Sequence, residues 1–336
     1  MKKEKSLQLE LIRIIAIFFV IFNHTRAHGF DLYKYVDNSS VTFFLSYAMS
    51  IICKTAVPLF FMVSGVTLLD KEEDMKAYFF HRILRIILVI FVFTLLQYIR
   101  LIIAGKASFN LITYFVYCFC GNIIEPYWFL KAYLGFLLAV PFLRKIVKGE
   151  DTVIKKYLVV LCGISIVISL VYIYLGYYVN VNFVFCMDIL LYPLLGYFCR
   201  DMKVRKSGCA ISLVLIWIVN VCLACEYHSR LNSFSDSFLS VFCVPLSVFI
   251  FLIVNNMSLS RKSSKWFLGN FGSAVFGVYL IEDVLRNLFE FRLSGGWNFD
   301  LINPLLSAVC FTVIVQISGL WLIWLVRKIP GVSKLF

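Results

Sequence analysis

The chain has 336 residues, of which 61% are hydrophobic and 15% are charged, and its mean hydropathy is +0.89. Soluble globular proteins carry about 25% charged residues, so this composition excludes that class. The net charge of +13 does not indicate a nucleic-acid-binding domain, because the basic residues are spread over short segments between apolar runs.

Ten apolar segments follow one another along the chain, most of them close to the ~20 residues that a helix needs to cross a bilayer. Helices are predicted because a backbone in lipid must satisfy its own hydrogen bonds, and a membrane barrel would instead show ten-residue alternating stretches. The predicted spans are residues 7–23, 42–69, 83–103, 127–146, 157–178, 183–199, 208–226, 237–254, 266–286 and 301–326. The fold class is therefore all-α, a polytopic transmembrane helical bundle forming one membrane domain over residues 1–336, with no appended soluble domain.

The chain begins with Lys2, Lys3 and Lys5 before its first apolar run, a pattern that resembles a signal peptide. No small-residue cleavage site follows and further spans do, so we interpret this segment as an uncleaved first helix. Residues 111–124 are apolar but too short to cross, which predicts a re-entrant or surface-lying segment.

The distribution of lysine and arginine tests this layout, because one miscounted span would invert every later loop. With the amino terminus inside, the inner segments hold 22 of the 32 basic residues and the outer loops hold six. The positive-inside rule thus predicts that both termini are cytoplasmic, in a multi-pass protein of the cytoplasmic membrane.

Ionisable residues inside a span cost several kcal/mol each to insert. Four stand out within a predicted span or at its end: Arg13, His24, Lys54 and Asp188. Arg13 and His24 are eleven residues apart, close to three helical turns, which predicts one shared face with the two about 16 Å apart. An imidazole suits proton transfer from an alcohol, and a guanidinium suits phosphate or carbonyl oxygens. The spacing alone is also easily met by chance. In that alternative, the Arg13 side chain reaches back to the inner surface and His24 is an ordinary surface histidine.

Two arginines, Arg82 and Arg85, stand at the inner entrance of the third span, three residues apart on one helix face. Such a pair suits a phosphorylated ligand, although ordinary positive-inside charge explains it equally simply. Lys54 is interpreted either as a pore-lining cation near such a ligand or as a snorkelling side chain.

The second span is over-long and contains Phe-Phe-Met-Val-Ser-Gly from Phe60 to Gly65, with Pro58 just before it. Ser64 and Gly65 allow neighbouring helices to approach closely, and the proline is expected to bend the segment.

Eleven cysteines lie mostly inside apolar segments, where a thiol packs as a small hydrophobe. The one familiar spacing, Cys222-Leu-Ala-Cys225, has no second pair and no nearby histidines, so it favours packing, with a disulfide near the outer surface as the alternative. We therefore expect no metal site.

These motifs, in this order, resemble those of the membrane acyltransferase-3 family, whose members acylate bacterial surface glycans and other extracytoplasmic acceptors. Five stretches carry the resemblance over essentially the whole chain: R-x10-H as Arg13 to His24, the Phe-rich Ser-Gly motif as Phe60 to Gly65, R-x-x-R as Arg82 to Arg85, Tyr127-Trp128-Phe129-Leu130 in the fourth span, and Phe276-Gly277-Val278-Tyr279-Leu280-Ile281 in the ninth.

One departure from the family pattern follows the last of these stretches. Many relatives carry a histidine there, whereas this chain has Glu282 and Asp283. The difference bears on acceptor choice, on the partner of His24, or on neither.

The resemblance implies acyl-CoA, most often acetyl-CoA, as the cytoplasmic co-substrate and a hydroxyl of an extracytoplasmic glycan or cell-surface polymer as the acceptor, which makes the protein an O-acetyltransferase. We expect Arg82 and Arg85 to bind the phosphates of CoA at the inner mouth, with Lys54 and Ser64 as further donor-binding candidates. The pantetheine arm would pass Arg13 and reach His24. His24 then acts either as general base or as the acylated nucleophile.

A carboxylate at the same outer level would orient the imidazole, as in other acyl-transfer sites. The candidates by depth are Glu125, Asp188, Glu282 and Asp283, of which Asp188 is the least explicable as solvated surface; Trp128 is a further substrate-site candidate. Ten helices with embedded charges also fit a transporter or flippase for a lipid-linked sugar or small anion, or a non-catalytic CoA-binding relative.

Overall fold

In the computed structural model, residues 6–37, 40–171, 187–226, 243–293 and 303–329 are described, and every regular element among them is helical. The α-helices of these ranges are Leu7–Asn23 (α1), Val41–Cys53 (α2), Ala56–Leu68 (α3), Met75–Tyr78 (α4), Leu84–Ile103 (α5), Leu111–Phe119 (α6), Trp128–Lys148 (α7), Thr152–Leu170 (α8), Met187–Cys199 (α9), Lys206–Glu226 (α10), Cys243–Asn255 (α11), Lys262–Phe271 (α12), Val275–Leu293 (α13) and Pro304–Val326 (α14). A π turn, Phe79–Ile83, joins α4 to α5. Short 3-10 helices are Arg26–His28, Leu32–Lys34, Glu125–Tyr127 and Gly272–Ala274.

Within the described ranges, four helical stretches are long and apolar enough to cross a membrane: Val41–Leu68, Met75–Ile103, Lys262–Phe289 and Pro304–Val326. Shorter apolar helices accompany them, and large apolar side chains such as Leu96 and Ile317 are exposed, as a lipid-facing surface requires. The predicted all-α membrane bundle is thus confirmed. The count of ten spans and the cytoplasmic position of both termini stay predictions.

Some predicted features lie outside the described residues. They are the three N-terminal lysines Lys2, Lys3 and Lys5, the side chain of Cys225, and residues 172–178, 183–186, 237–242 and 301–302 of the fifth, sixth, eighth and tenth predicted spans.

The chain divides into two compact units, one formed by Met1–Thr67 with Lys156–Lys334 and one formed by Leu68–Lys155. The single membrane domain that the run of apolar segments predicts over residues 1–336 stays a prediction.

In the first unit, α1 occupies a central position and packs against α2, α11, α13 and α14. Its apolar residues Ile12, Ala16, Ile17 and Ile21 are wholly buried. At 100° per residue, these side chains spread over about 180° of the helix circumference, so the helix is buried on more than one side. Gln316 on α14 adds a hydrogen bond of 2.9 Å to the carbonyl of Ile14, so α1 is fixed along its length as well as in its rotation.

The second predicted span is broken between α2 and α3, at Lys54 and Thr55. Pro58 lacks the N–H that would bond the carbonyl of Lys54 in a continuous helix. The thiol of Cys243, on α11, lies 3.8 Å from that carbonyl oxygen instead. The bend expected from Pro58 therefore lies one turn before the proline.

The backbones of α3 and α9 are in direct contact at two glycines. A methyl group built on Gly65 would overlap the carbonyl of Pro193, and one built on Gly196 would overlap the carbonyl of Met62. Each glycine faces the backbone of the other helix, so this crossing depends on the absence of both side chains. The neighbouring Ser64 bonds within its own helix, to the carbonyl of Phe60 at 2.8 Å.

Candidate functional site

His24 lies directly after the last residue of α1, and its backbone N–H still bonds to the carbonyls of Val20 and Ile21, each at 3.2 Å. The packing of α1 against several helices therefore fixes the position of the histidine. Its side chain is about one-fifth exposed, at 21%, so the imidazole is held by the protein while one side remains accessible.

The side chain of His24 faces the carboxylate of Glu282, on α13. The Nδ1 atom of His24 lies 2.8 Å from Oε1 of Glu282, whose side chain is wholly buried. The second oxygen, Oε2, accepts a hydrogen bond of 2.8 Å from Nε of Arg286, one turn further along the same helix. A buried carboxylate needs such partners, because an unpaired charge away from water is strongly unfavourable.

Arg286 connects the end of α1 to α13 through three different acceptors. Besides Glu282, it donates to the backbone carbonyl of His24 at 2.8 Å and to Oδ1 of Asp283 at 3.1 Å. The imidazole and the backbone of His24 are therefore both held by one turn of α13. Sequence reasoning treated Arg286 only as an outer-loop charge, although its i, i+4 spacing from Glu282 indicates a pair.

This arrangement defines the chemistry open to the imidazole. A neutral histidine whose Nδ1 faces a carboxylate carries its proton on that nitrogen, which leaves the lone pair of Nε2 free to accept a proton. If the ring takes up a second proton, Glu282 stabilises the positive charge. The pair can therefore activate a hydroxyl group as general base.

Arg13 is paired with a residue that sequence reasoning did not single out. Its Nη1 donates to Oε1 of Glu10 at 2.7 Å, and Glu10 is almost wholly buried. Gly272 lies against the Glu10 side chain and has no room for a Cβ, because a Cβ there would lie 2.5 Å from Oε2 of Glu10. The i, i+3 spacing of Glu10 and Arg13 was the available signal.

Lys54 lies in the break between α2 and α3, where its ammonium group is 5.1 Å from the centre of the Phe30 ring. Next to it, the carbonyl of Cys53 accepts a hydrogen bond of 3.1 Å from the side chain of Asn23. The break and the end of α1 are thus held together, which places Lys54 in the same region as His24. Its predicted contact with a donor, and that of Ser64, stay predictions.

Arg82 and Arg85 lie in the second unit, in the π turn and in the first turn of α5. Arg82 donates to Oε1 of Glu73 at 2.8 Å, and the other oxygen of Glu73 accepts from Arg144 at 2.9 Å. Burial alone would raise the pKa of the Glu73 carboxyl, but the two guanidinium groups outweigh it and hold the pKa below its usual value. The carboxylate is therefore ionised at neutral pH, and these contacts are lost only when the pH falls through that lowered pKa.

Of the four candidate carboxylates, the structure brings Glu282 to His24, and Asp283 bonds to Arg286 on the same turn of α13. Glu125 is exposed in the 3-10 helix Glu125–Tyr127, and Trp128 begins α7, both in the second unit. Asp188 belongs to α9, but its side chain lies outside the described residues. Among the side chains described, no group of three or more His, Cys, Asp or Glu is placed to hold a metal ion, and a metal-free site stays a prediction.

A histidine beside a buried carboxylate has the geometry that acyl-transfer chemistry uses for a general base. A family model described as an acyltransferase domain matches residues 6–326, nearly the whole chain. The chain therefore belongs to this acyltransferase-3 family, in agreement with the resemblance of its motifs. Searches of the curated proteins and of the solved structures give no match.

Proposed function

We propose that this protein is an O-acyltransferase of the cytoplasmic membrane that transfers an acyl group, in the first instance acetyl, from cytoplasmic acyl-CoA to a hydroxyl of an extracytoplasmic glycan or cell-surface polymer. The observation that carries the proposal is the 2.8 Å approach of Nδ1 of His24 to Oε1 of Glu282, in a chain that belongs to an acyltransferase family. Such a pair supplies a base for the acceptor hydroxyl, which is the step that an ester-forming reaction needs.

In the proposed reaction, Nε2 of His24 takes the proton of the acceptor hydroxyl as its oxygen attacks the carbonyl carbon of the thioester. The carbon–sulfur bond then breaks, and the thiolate of CoA takes the proton back from the imidazolium ring. The products are the ester and free CoA thiol, so atoms and charge balance. Glu282 stabilises the imidazolium during this cycle, while Arg286 keeps the carboxylate in place.

The donor is bound in this proposal through its phosphates, by Arg82 and Arg85, since guanidinium groups match phosphate oxygens in geometry and charge. Lys54 and Ser64 are further donor-binding residues, and Arg13 is the cation near the path of the thioester. The acceptor is a sugar hydroxyl on the outer side, reached without a metal ion.

Inside-out membrane vesicles test the proposal, because their outer surface exposes the cytoplasmic face to added acetyl-CoA carrying a radiolabelled acetyl group. We expect label to become covalently bound to the enclosed polymer and to be released by mild alkali, as an ester is. Uptake of an unmodified sugar or anion, with no label on the polymer, would contradict acyl transfer and identify a transporter. Binding of CoA with no transfer at all would identify a non-catalytic relative.

Replacing Glu282 with glutamine should lower the rate of acyl transfer by about a hundredfold, because a neutral amide no longer stabilises the imidazolium form of His24. The rate is measured with saturating acetyl-CoA in the vesicle assay. Asp283→Asn is the matched control, since Asp283 also accepts from Arg286 and loses the same charge. An equal loss of rate in the two variants would mean that the rate depends on negative charge beside Arg286 and not on the contact between Glu282 and His24.

A further inference from the structure

The second compact unit contains a carboxylate that is shared by two arginines. Arg82 donates to one oxygen of Glu73 at 2.8 Å, and Arg144, on α7, donates to the other at 2.9 Å. Arg144 was not among the residues that the sequence motifs pointed to. Two guanidinium groups that converge on one oxyanion form the contact geometry with which arginines bind phosphate groups.

Arg144 is fixed in this position by further contacts. Its Nε donates to the carbonyl of Leu68 at 2.8 Å, and its guanidinium group lies 4.9 Å from the centre of the Tyr78 ring. Tyr78 is itself anchored by a hydrogen bond of 2.7 Å from its hydroxyl to the carbonyl of Leu137. The Arg144 side chain is only 11% exposed, so it is a pre-organised cation that requires an anion beside it.

A neighbouring pair shows what an ordinary surface contact in the same segment looks like. Glu72 lies 3.3 Å from Lys148, and the Glu72 side chain is 92% exposed. Such an exposed pair contributes little to stability. Glu73 differs from it in having two arginine partners and in a side chain that is only 23% exposed, which singles out the site between Arg82 and Arg144 as built to hold an anion.

We infer that Arg144 binds a phosphate group of the acyl-CoA donor together with Arg82, and that Glu73 occupies this anion site when no donor is bound. The inference rests on the proposed function, because it concerns the donor of that reaction. A phosphate with more negative charge and more oxygens than a carboxylate displaces Glu73, which then turns towards solvent. The affinity for the donor is consequently reduced by the fraction of molecules in which Glu73 holds the site.

The test is the dissociation constant of CoA for the full chain in nanodiscs of zwitterionic lipid. Glu73→Gln should lower this Kd by about two- to tenfold, because the internal competitor is weakened. Arg144→Ala should raise it by about tenfold or more, because a charge-assisted hydrogen bond to phosphate is lost. Glu72→Gln and Lys148→Ala are the matched controls from the same loop and the same helix, and they should leave the Kd within about twofold.

The sign of the Glu73→Gln effect separates the inference from a purely structural role. A residue that merely positions Arg82 and Arg144 would weaken CoA binding when it is neutralised, and that result would overturn the inference. Arg144→Lys is the second variant in case alanine impairs folding: it keeps the charge, loses the forked geometry and should still raise the Kd. Unchanged binding in a folded Arg144 variant would also overturn it.

The source of the phosphate and the donor proposal itself are tested in the same assay. If Arg82→Ala and Arg85→Ala weaken CoA binding while Arg144→Lys does not, the inference fails and the donor site stands. If neither the native chain nor any variant binds CoA, both fail. Phosphatidylglycerol added to the nanodiscs tests a lipid headgroup as the source of the phosphate. If Glu73→Gln raises the affinity for this lipid but leaves the affinity for CoA unchanged, the assignment to CoA is wrong.

Discussion

Replacing His24 with alanine should lower the rate of acyl transfer by about 10⁴-fold, the upper end of what a positioned general base contributes. Because Nδ1 of His24 faces Glu282, the other ring nitrogen, Nε2, is the atom that takes the proton of the acceptor in the proposed reaction. The measurement is the initial rate of label transfer to the polymer in inside-out vesicles, at equal amounts of folded protein.

His28→Ala is the matched control for this variant, since His28 is an exposed histidine four residues further along the chain. Its activity should equal that of the native protein. The affinity for CoA should be preserved in both variants, because donor binding is assigned to other residues. Acyl transfer that survives in His24→Ala within about tenfold would remove His24 from the chemistry and with it the proposed mechanism.

Replacing Gly65 with alanine should prevent stable packing of α3 against α9. The added methyl group would overlap the carbonyl of Pro193, which is backbone and has no alternative rotamer. The two helices must separate to admit it, at a cost on the order of 3 kcal/mol or more. We expect a large loss of folded protein after detergent extraction, read as the monodisperse fraction on size exclusion and as the melting temperature.

Gly135→Ala is the control, because Gly135 is also a mid-helix glycine but a Cβ there meets nothing within 4 Å. This substitution should leave the melting temperature unchanged or raise it slightly, since alanine favours helix over glycine by about 1 kcal/mol. Gly196→Ala should behave like Gly65→Ala, because it would overlap the carbonyl of Met62 from the opposite side. A Gly65→Ala protein as stable as the Gly135→Ala protein would show that the crossing is not tight.

The sequence was sufficient to locate the helix that presents His24, because an apolar run bounded by charges fixes the limits of a membrane helix. The predicted first span, residues 7–23, agrees with α1, Leu7–Asn23. The same reasoning found the position of the break in the second span only approximately. A proline marks the turn that loses a hydrogen bond, but the donor that compensates, the thiol of Cys243, lies 189 residues away in sequence.

The choice of the carboxylate that orients His24 was beyond the sequence. Depth in the membrane favoured Asp188, whose side chain lies outside the described residues, and among the described carboxylates that of Glu282 lies beside the imidazole. Depth is a property of one helix, but the contact depends on how α13 is rotated against α1, which is set by packing over the whole interface. Local spacing could have found Glu10 beside Arg13 and Arg286 beside Glu282, because both pairs are three or four residues apart.

The hydrogen bond from Arg286 to the backbone carbonyl of His24 separates the residue proposed for the chemistry from the segment that follows it. The base is fixed by α1 and α13, both anchored in the bundle, while the chain that follows it, through Arg26–His28 and Leu32–Lys34, is a run of short turns. Rigid elements that hold the reacting group leave adjoining loops free to vary. If the proposed function holds, exchange of the exposed turn Arg26–His28 between homologues should therefore alter which acceptor is modified while the rate of the chemical step is retained.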